Sequence, residues 1–169
     1  VTLRAAAIIA GLMLSGCASK TALPDDEAPV LATFAPDLRT RIVDKLGVDG
    51  VRLLENASAF EMSLHDYHLD TPGPVIAQRR IEEDAERAQV VQFFYDVAAS
   101  NDPPCKCEPV LRYLVTTADG SAEARVIGHP VSVRVDQRRL MQVPPKRAEK
   151  TLSSLLADPS SGADPMSQP

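Results

Sequence analysis

Between residues 31 and 156 the spacing of apolar residues changes from a helical period to an alternating one and back, and proline or glycine marks most changes. A chain with that pattern cannot bury its apolar surface in helices alone or in strands alone. Leu38, Ile42, Val43 and Leu46 share one helical face, with Pro36 at the first position and Gly47 as the stop, which predicts a helix over 35–46. Residues 50–57 predict a further helical turn carrying Val51, Leu53 and Leu54 inward. Over 58–69, Phe60, Met62 and Leu64 alternate with Glu61, Ser63 and His65, as on a strand with one buried face. A turn at 71–74 leads to a partner strand over 75–81.

The clearest helix is predicted over 82–100. Glu82, Glu83 and Asp84 stand at its start, where the macrodipole favours negative charge, and Val90, Val91, Phe93, Phe94 and Val97 supply its core face. Strands follow over 110–117 and 122–135, joined by Ala118-Asp119-Gly120-Ser121 and interrupted at Gly128-His129-Pro130. A last helix over 146–156 carries Leu152, Leu155 and Leu156. The order α-β-β-α-β-β-α predicts an α+β domain over 31–156, a small antiparallel sheet of about four strands with helices packed on one face. Residues 157–169 are expected to form a disordered tail.

Charge and aromatic content narrow the function. The chain carries a net charge of −5, and Arg4 is the only charged residue among the first sixteen, so the remainder is more acidic still. With no basic stripe, such a chain repels phosphate backbones, and nucleic acid is not expected as a partner. Aromatics make up 4% and tryptophan is absent, which argues against stacking surfaces for sugars or bases.

The first seventeen residues read VTLRAAAIIAGLMLSGC. Arg4 precedes an apolar stretch over 5–14 that as a helix covers about 15 Å, half of a hydrocarbon core of about 30 Å. That is too short to span and suits the hydrophobic region of a signal peptide. Its close, Leu14-Ser15-Gly16-Cys17, resembles the lipobox of bacterial lipoproteins. The resemblance implies that residues 1–16 are a signal peptide, that the Cys17 thiol receives a diacylglyceryl group, and that the new amine is acylated with a fatty acid such as palmitate. It also implies a lipid-anchored protein of the bacterial cell envelope. Ala18, where an aspartate would favour inner-membrane retention, implies the outer membrane, facing the periplasm. Residues 17–30 then comprise the lipidated cysteine and a polar, proline-marked tether in which Asp25-Asp26-Glu27 reads as solvated.

Cys105 and Cys107 remain, in PPCKCEP. In an oxidising periplasm they suit a local disulfide, although two strand steps place their Cα atoms about 6.6 Å apart, near the outer limit of disulfide geometry. Paired thiols binding a soft metal, copper or zinc, a redox-active dithiol and two unlinked thiols are the other readings. A metal would need more ligands: His65, His68 and His129 are the only histidines, and Met62 is a further soft donor. On a strand, His65 and His68 face opposite ways.

No Gly-x-Ser-x-Gly, no His-Glu-x-x-His and no phosphate-cradling glycine loop is present. The acidic run 82–84 reads as helix-start charge, and Arg79-Arg80 and Arg138-Arg139 as solvated strand ends. The expected role is a non-enzymatic binding module in the envelope, with a protein partner; the alternative is a periplasmic soft-metal protein using the Cys-x-Cys pair.

Overall fold

A computed structural model describes residues 23–66, 73–101, 111–127, 131–143 and 146–157. The class is α+β. Helices α1 (Pro36–Glu55), α2 (Asp84–Ala99) and α3 (Lys146–Ala157) accompany strands β1 (Phe60–His65), β2 (Val75–Ile81), β3 (Leu111–Thr117), β4 (Ala122–Ile127), β5 (Val131–Val135) and β6 (Arg138–Gln142). The strands form one antiparallel sheet in the order β2-β1-β3-β4-β5-β6.

The six described strands correct the expectation of about four. The stretch 122–135 is two strands, because its interruption lets β5 return antiparallel to β4. A two-residue turn at Asp136 and Gln137, with Asp136 at φ 52°, then leads into β6. Its polar residues hid this strand: Arg138 and Gln142 occupy two of its three covered-face positions, so the apolar alternation shrinks to the half-buried Leu140. Gly47 is a break and not an end. At φ 77° and ψ 159° it occupies backbone space open almost only to glycine, and the helix resumes beyond it to Glu55. Gly50, in that second half, sits against the sheet, where an added Cβ would come within 3.1 Å of Val135 Cγ1.

The helices cover one face of the sheet. Phe60, Met62, Ile81, Tyr113, Val115, Ala122, Ala124, Val126, Val131, Val133 and Val135 alternate along their strands and are all buried beneath them. Helix α2 lies between α1 and α3. It buries the five residues expected of it, and Tyr95, Asp96 and Ala98 as well. Phe94 joins helix to sheet through Phe60, with ring centroids 6.2 Å apart, and meets Phe93 edge-on at 5.9 Å. Leu152 and Leu155 bring α3 into the same core.

Residues 23–30, read above as tether, lie against the helices. Ala28 is buried, Leu23 and Val30 pack on the core, and Asp25 and Glu27 pair with Arg39 and Arg52 of α1 at 2.9 and 2.8 Å. A short 3₁₀ turn at Leu31–Thr33 follows. Its Leu31 N–H donates to Glu55 Oε1 (2.9 Å), and the same oxygen accepts from Tyr95 Oη (3.0 Å). Phe34 meets the Tyr95 ring edge-on at 5.9 Å. Residues 1–22 and 158–169, with the expected signal peptide and most of the expected tail, lie outside the described residues.

Two predictions follow from this packing. Phe94 is fully buried, so Phe94→Ala should lower the unfolding free energy by about 3–5 kcal/mol in a denaturant titration. Burial, with the Glu55 carboxylate beside it, pushes the Tyr95 hydroxyl well above the ordinary tyrosine range. The folded state therefore holds that proton after the unfolded chain has released it, so stability is intact below about pH 10 and falls above it. Tyr95→Phe should cost about 1 kcal/mol at neutral pH and flatten the alkaline decline, as read from melting temperatures between pH 8 and 11.

Candidate functional site

The sheet has a second face, and among the described residues no helix or strand lies over it. Strand register arranges this face in rows. One row runs Arg80, Glu61, Thr116, Glu123, Arg134, Arg139 from β2 to β6; the next runs Gln78, Ser63, Leu114, Arg125, Ser132, Met141. The large apolar side chains most exposed are Ile76 (61%) and Val75 (50%) on β2 and Met141 (52%) on β6. These lie on the two edge strands, where the backbone has a partner on one side only.

Charge on the open face is unevenly spread. Toward β2, Arg80 is shared between Glu61 (3.3 Å) and Glu82 (2.6 Å). Toward β6, Glu123 is occupied by Arg125 (2.8 Å). Arg134 and Arg139 stand directly opposite one another across β5 and β6, an arrangement that disfavours the sheet by a few tenths of a kcal/mol to about 1 kcal/mol. The Arg134 Nη2 donates to the Gly120 carbonyl (3.2 Å), and among the described residues neither arginine pairs with a carboxylate.

Not every arginine belongs to this surface. Arg79 is not a solvated strand end: it is almost buried on the helix-covered side and grips both Glu86 oxygens at 2.8 Å while donating to the Leu155 carbonyl at the end of α3. Arg138 likewise reaches across to α1, donating to the Asp44 carbonyl (3.0 Å) just before the break at Gly47. Both are structural, and sequence reasoning missed them because Glu86 lies on the next element and the Leu155 and Asp44 carbonyls are distant in the chain. Of the acidic run, Glu83 stands at the N-cap position of α2 without a side-chain capping bond and Asp84 starts the helix, while Glu82 is the exposed partner of Arg80.

Of the candidate ligands, Cys17, Cys105, Cys107, His68 and His129 lie outside the described residues. Met62 is buried under the helices, whereas His65 is on the open face, so these two share no site. Among the described residues no group of three or more metal-binding side chains comes together.

His65 is held at both ring nitrogens. Nδ1 lies 3.1 Å from the Gly73 carbonyl and Nε2 lies 3.0 Å from Ser63 Oγ. A carbonyl only accepts, so Nδ1 carries the proton, and the neutral ring's Nε2 accepts from the Ser63 hydroxyl. That is the orientation of a serine–histidine pair in acyl transfer. β1 lies between β2 and β3 and its own backbone donors are used in the two ladders, so among the described residues this strand offers no free N–H to an oxyanion beside Ser63. The pair lies beside a groove lined by Val75, Gln78, Leu114 and Thr116.

Comparison with protein-family models, curated proteins and solved structures finds no match to this chain. If the argument from spent backbone donors holds, a fluorophosphonate probe should leave Ser63 unmodified, as checked by peptide mass spectrometry. Stoichiometric labelling of Ser63 would identify an acylating site.

Proposed function

We propose that this chain is a lipid-anchored protein of the bacterial envelope whose domain acts as a non-enzymatic interaction module. The observation that carries the binding role is the six-stranded sheet, which among the described residues is covered by helices on one face only. Three helices make the platform rigid, while the open face and two edge strands offer a partner both side chains and backbone groups. The lipobox-like run ending at Cys17 supports the anchor. Two or more acyl chains, each contributing about 0.8 kcal/mol per buried CH₂, hold a protein stably at a membrane where one chain does not.

The geometry also fits a tethered binder. Residues 23–34 contact α1 and α2 through Arg39, Arg52, Glu55 and Tyr95, so the chain leading from Cys17 meets the domain on its helical side. The open face is on the opposite side and remains accessible when the helical side is nearer the membrane. The soft-metal reading has no comparable support among the described residues, where His65 is engaged at both nitrogens.

Metabolic labelling with a clickable palmitate analogue tests the anchor. The wild-type chain should label and sediment with membranes, and Cys17→Ser should do neither; continued labelling of the serine variant would refute the assignment. Intact mass under native and denaturing conditions should give the same value, whereas loss of a bound metal ion on denaturation would move the function to the Cys-x-Cys pair. A photo-crosslinking residue at Thr116, on the open face, should form adducts in cells that the same residue at Ser154, exposed on α3, does not.

A further inference from the structure

We propose that the β6 side of the open sheet face binds an acidic, extended segment of a partner protein, with Arg134 and Arg139 receiving its carboxylates. This deepens the interaction-module reading and rests on it.

Four observations converge on that occupant. First, Arg134 and Arg139 face each other across adjacent strands with no carboxylate partner among the described residues, in a chain whose net charge is −5. Glu123, opposite Arg134 on its other side, is bonded to Arg125, and an incoming carboxylate relieves the repulsion between the two arginines. Guanidinium forks match carboxylates in bidentate geometry, so the pair offers orientation as well as charge.

Second, the pair adjoins a sheet edge. Arg139 lies on β6, beyond which no strand is described, so a partner segment can run alongside β6 in an extended conformation. Third, Met141 is two residues from Arg139, on the same face and half exposed. An added strand presents its own side chains to that face at every second position. The segment that fits thus alternates an acidic residue, set against Arg139, with an apolar one set against Met141.

Fourth, the alternatives fit less well. The opposite edge is acidic: Arg80 there is shared by Glu61 and Glu82, and Glu83 is exposed next to them. An acidic segment is therefore directed to β6 and away from β2. An anionic membrane surface is disfavoured because residues 23–34 join the domain on its helical side, away from these arginines.

The test uses the full chain in neutral detergent and a fluorescein-labelled eight-residue peptide. In the peptide Glu and Val alternate at every second position with Thr between, and the control carries Gln for Glu. Fluorescence anisotropy should show saturable binding of the acidic peptide that weakens with added salt, and none of the Gln control. Arg134→Glu with Arg139→Glu should weaken binding at least tenfold, Arg134→Gln with Arg139→Gln should do so to a lesser degree, and Arg80→Gln should leave it unchanged. Melting curves establish that each variant is folded. No binding to the wild type, equal binding of the Gln control, or full binding by folded double variants would each overturn the proposal. So would binding to phosphatidylglycerol vesicles in place of the peptide, or concentration-dependent self-association abolished by Arg139→Glu, since either names a different occupant. Loss of crosslinking at Thr116 would count against the broader interaction reading; crosslinking without peptide binding would refute only the acidic-segment chemistry.

Discussion

An antiparallel sheet with one apolar face must cover that face, and here α2 sits at the centre of the cover. Phe93, Phe94, Tyr95 and Val97 of this one helix are fully buried, with α1 on one side and α3 on the other. Full burial of an aromatic side chain contributes about 1.5–3 kcal/mol, so the aromatic cluster of Phe60, Phe93 and Phe94 is a large part of a domain's net stability of about 5–15 kcal/mol. Because one layer of helices suffices for this burial, the other side of the sheet is free to be specified for contact.

Long basic side chains complete the assembly by closing helix ends. The last carbonyls of a helix lack intrahelical partners. In this chain Arg41 and Lys45 of α1 donate to the carbonyls of Ala99 and Ser100 at the end of α2 (3.0 and 2.6 Å), Arg79 donates to Leu155 near the end of α3, and Arg87 to Ala57 just after α1. Each bond joins two elements while satisfying an orphan acceptor. The same side-chain type thus has two placements: arginines that lock helix ends on the covered side, and arginines that remain available on the open one.

Much of this was legible in the residues. Period and punctuation located α2, α3, β1, β2 and the β3–β4 turn, where Asp119 and Gly120 (φ 72°) were read correctly as hairpin residues. The Ser121 hydroxyl and N–H hold the Asp119 carboxyl at about 2, a local bond of the kind short turn motifs announce. What escaped was non-local. Strand β6 has little apolar alternation because Arg138 and Gln142 flank Leu140 on its covered face. Gly47 reads as a stop, and the helical turn expected over 50–57 proves to be the second half of the same helix, because a glycine at positive φ breaks α1 without ending it. Residues 23–30 look solvated until Arg39 and Arg52, fourteen and twenty-five positions onward, are seen to meet them. The open face was legible only as the polar half of each alternating strand; which polar groups stand side by side depends on register, and Arg134 opposite Arg139 is a product of register alone.

The docked stretch from Leu23 to Phe34 also sets a mechanical path. Tension applied at the N-terminal end of this stretch meets Leu23 on the core, the Asp25–Arg39 and Glu27–Arg52 pairs and the buried Ala28, then the Glu55 carboxylate that holds Leu31 and Tyr95 together. The two exposed ion pairs are weak and give way early. The Glu55 node is tied to both α1 and α2, so load passing it spreads into the core and across to the sheet. The strap therefore ties the point where the chain enters the domain to the helical layer, and the open face on the other side of the sheet carries none of these contacts.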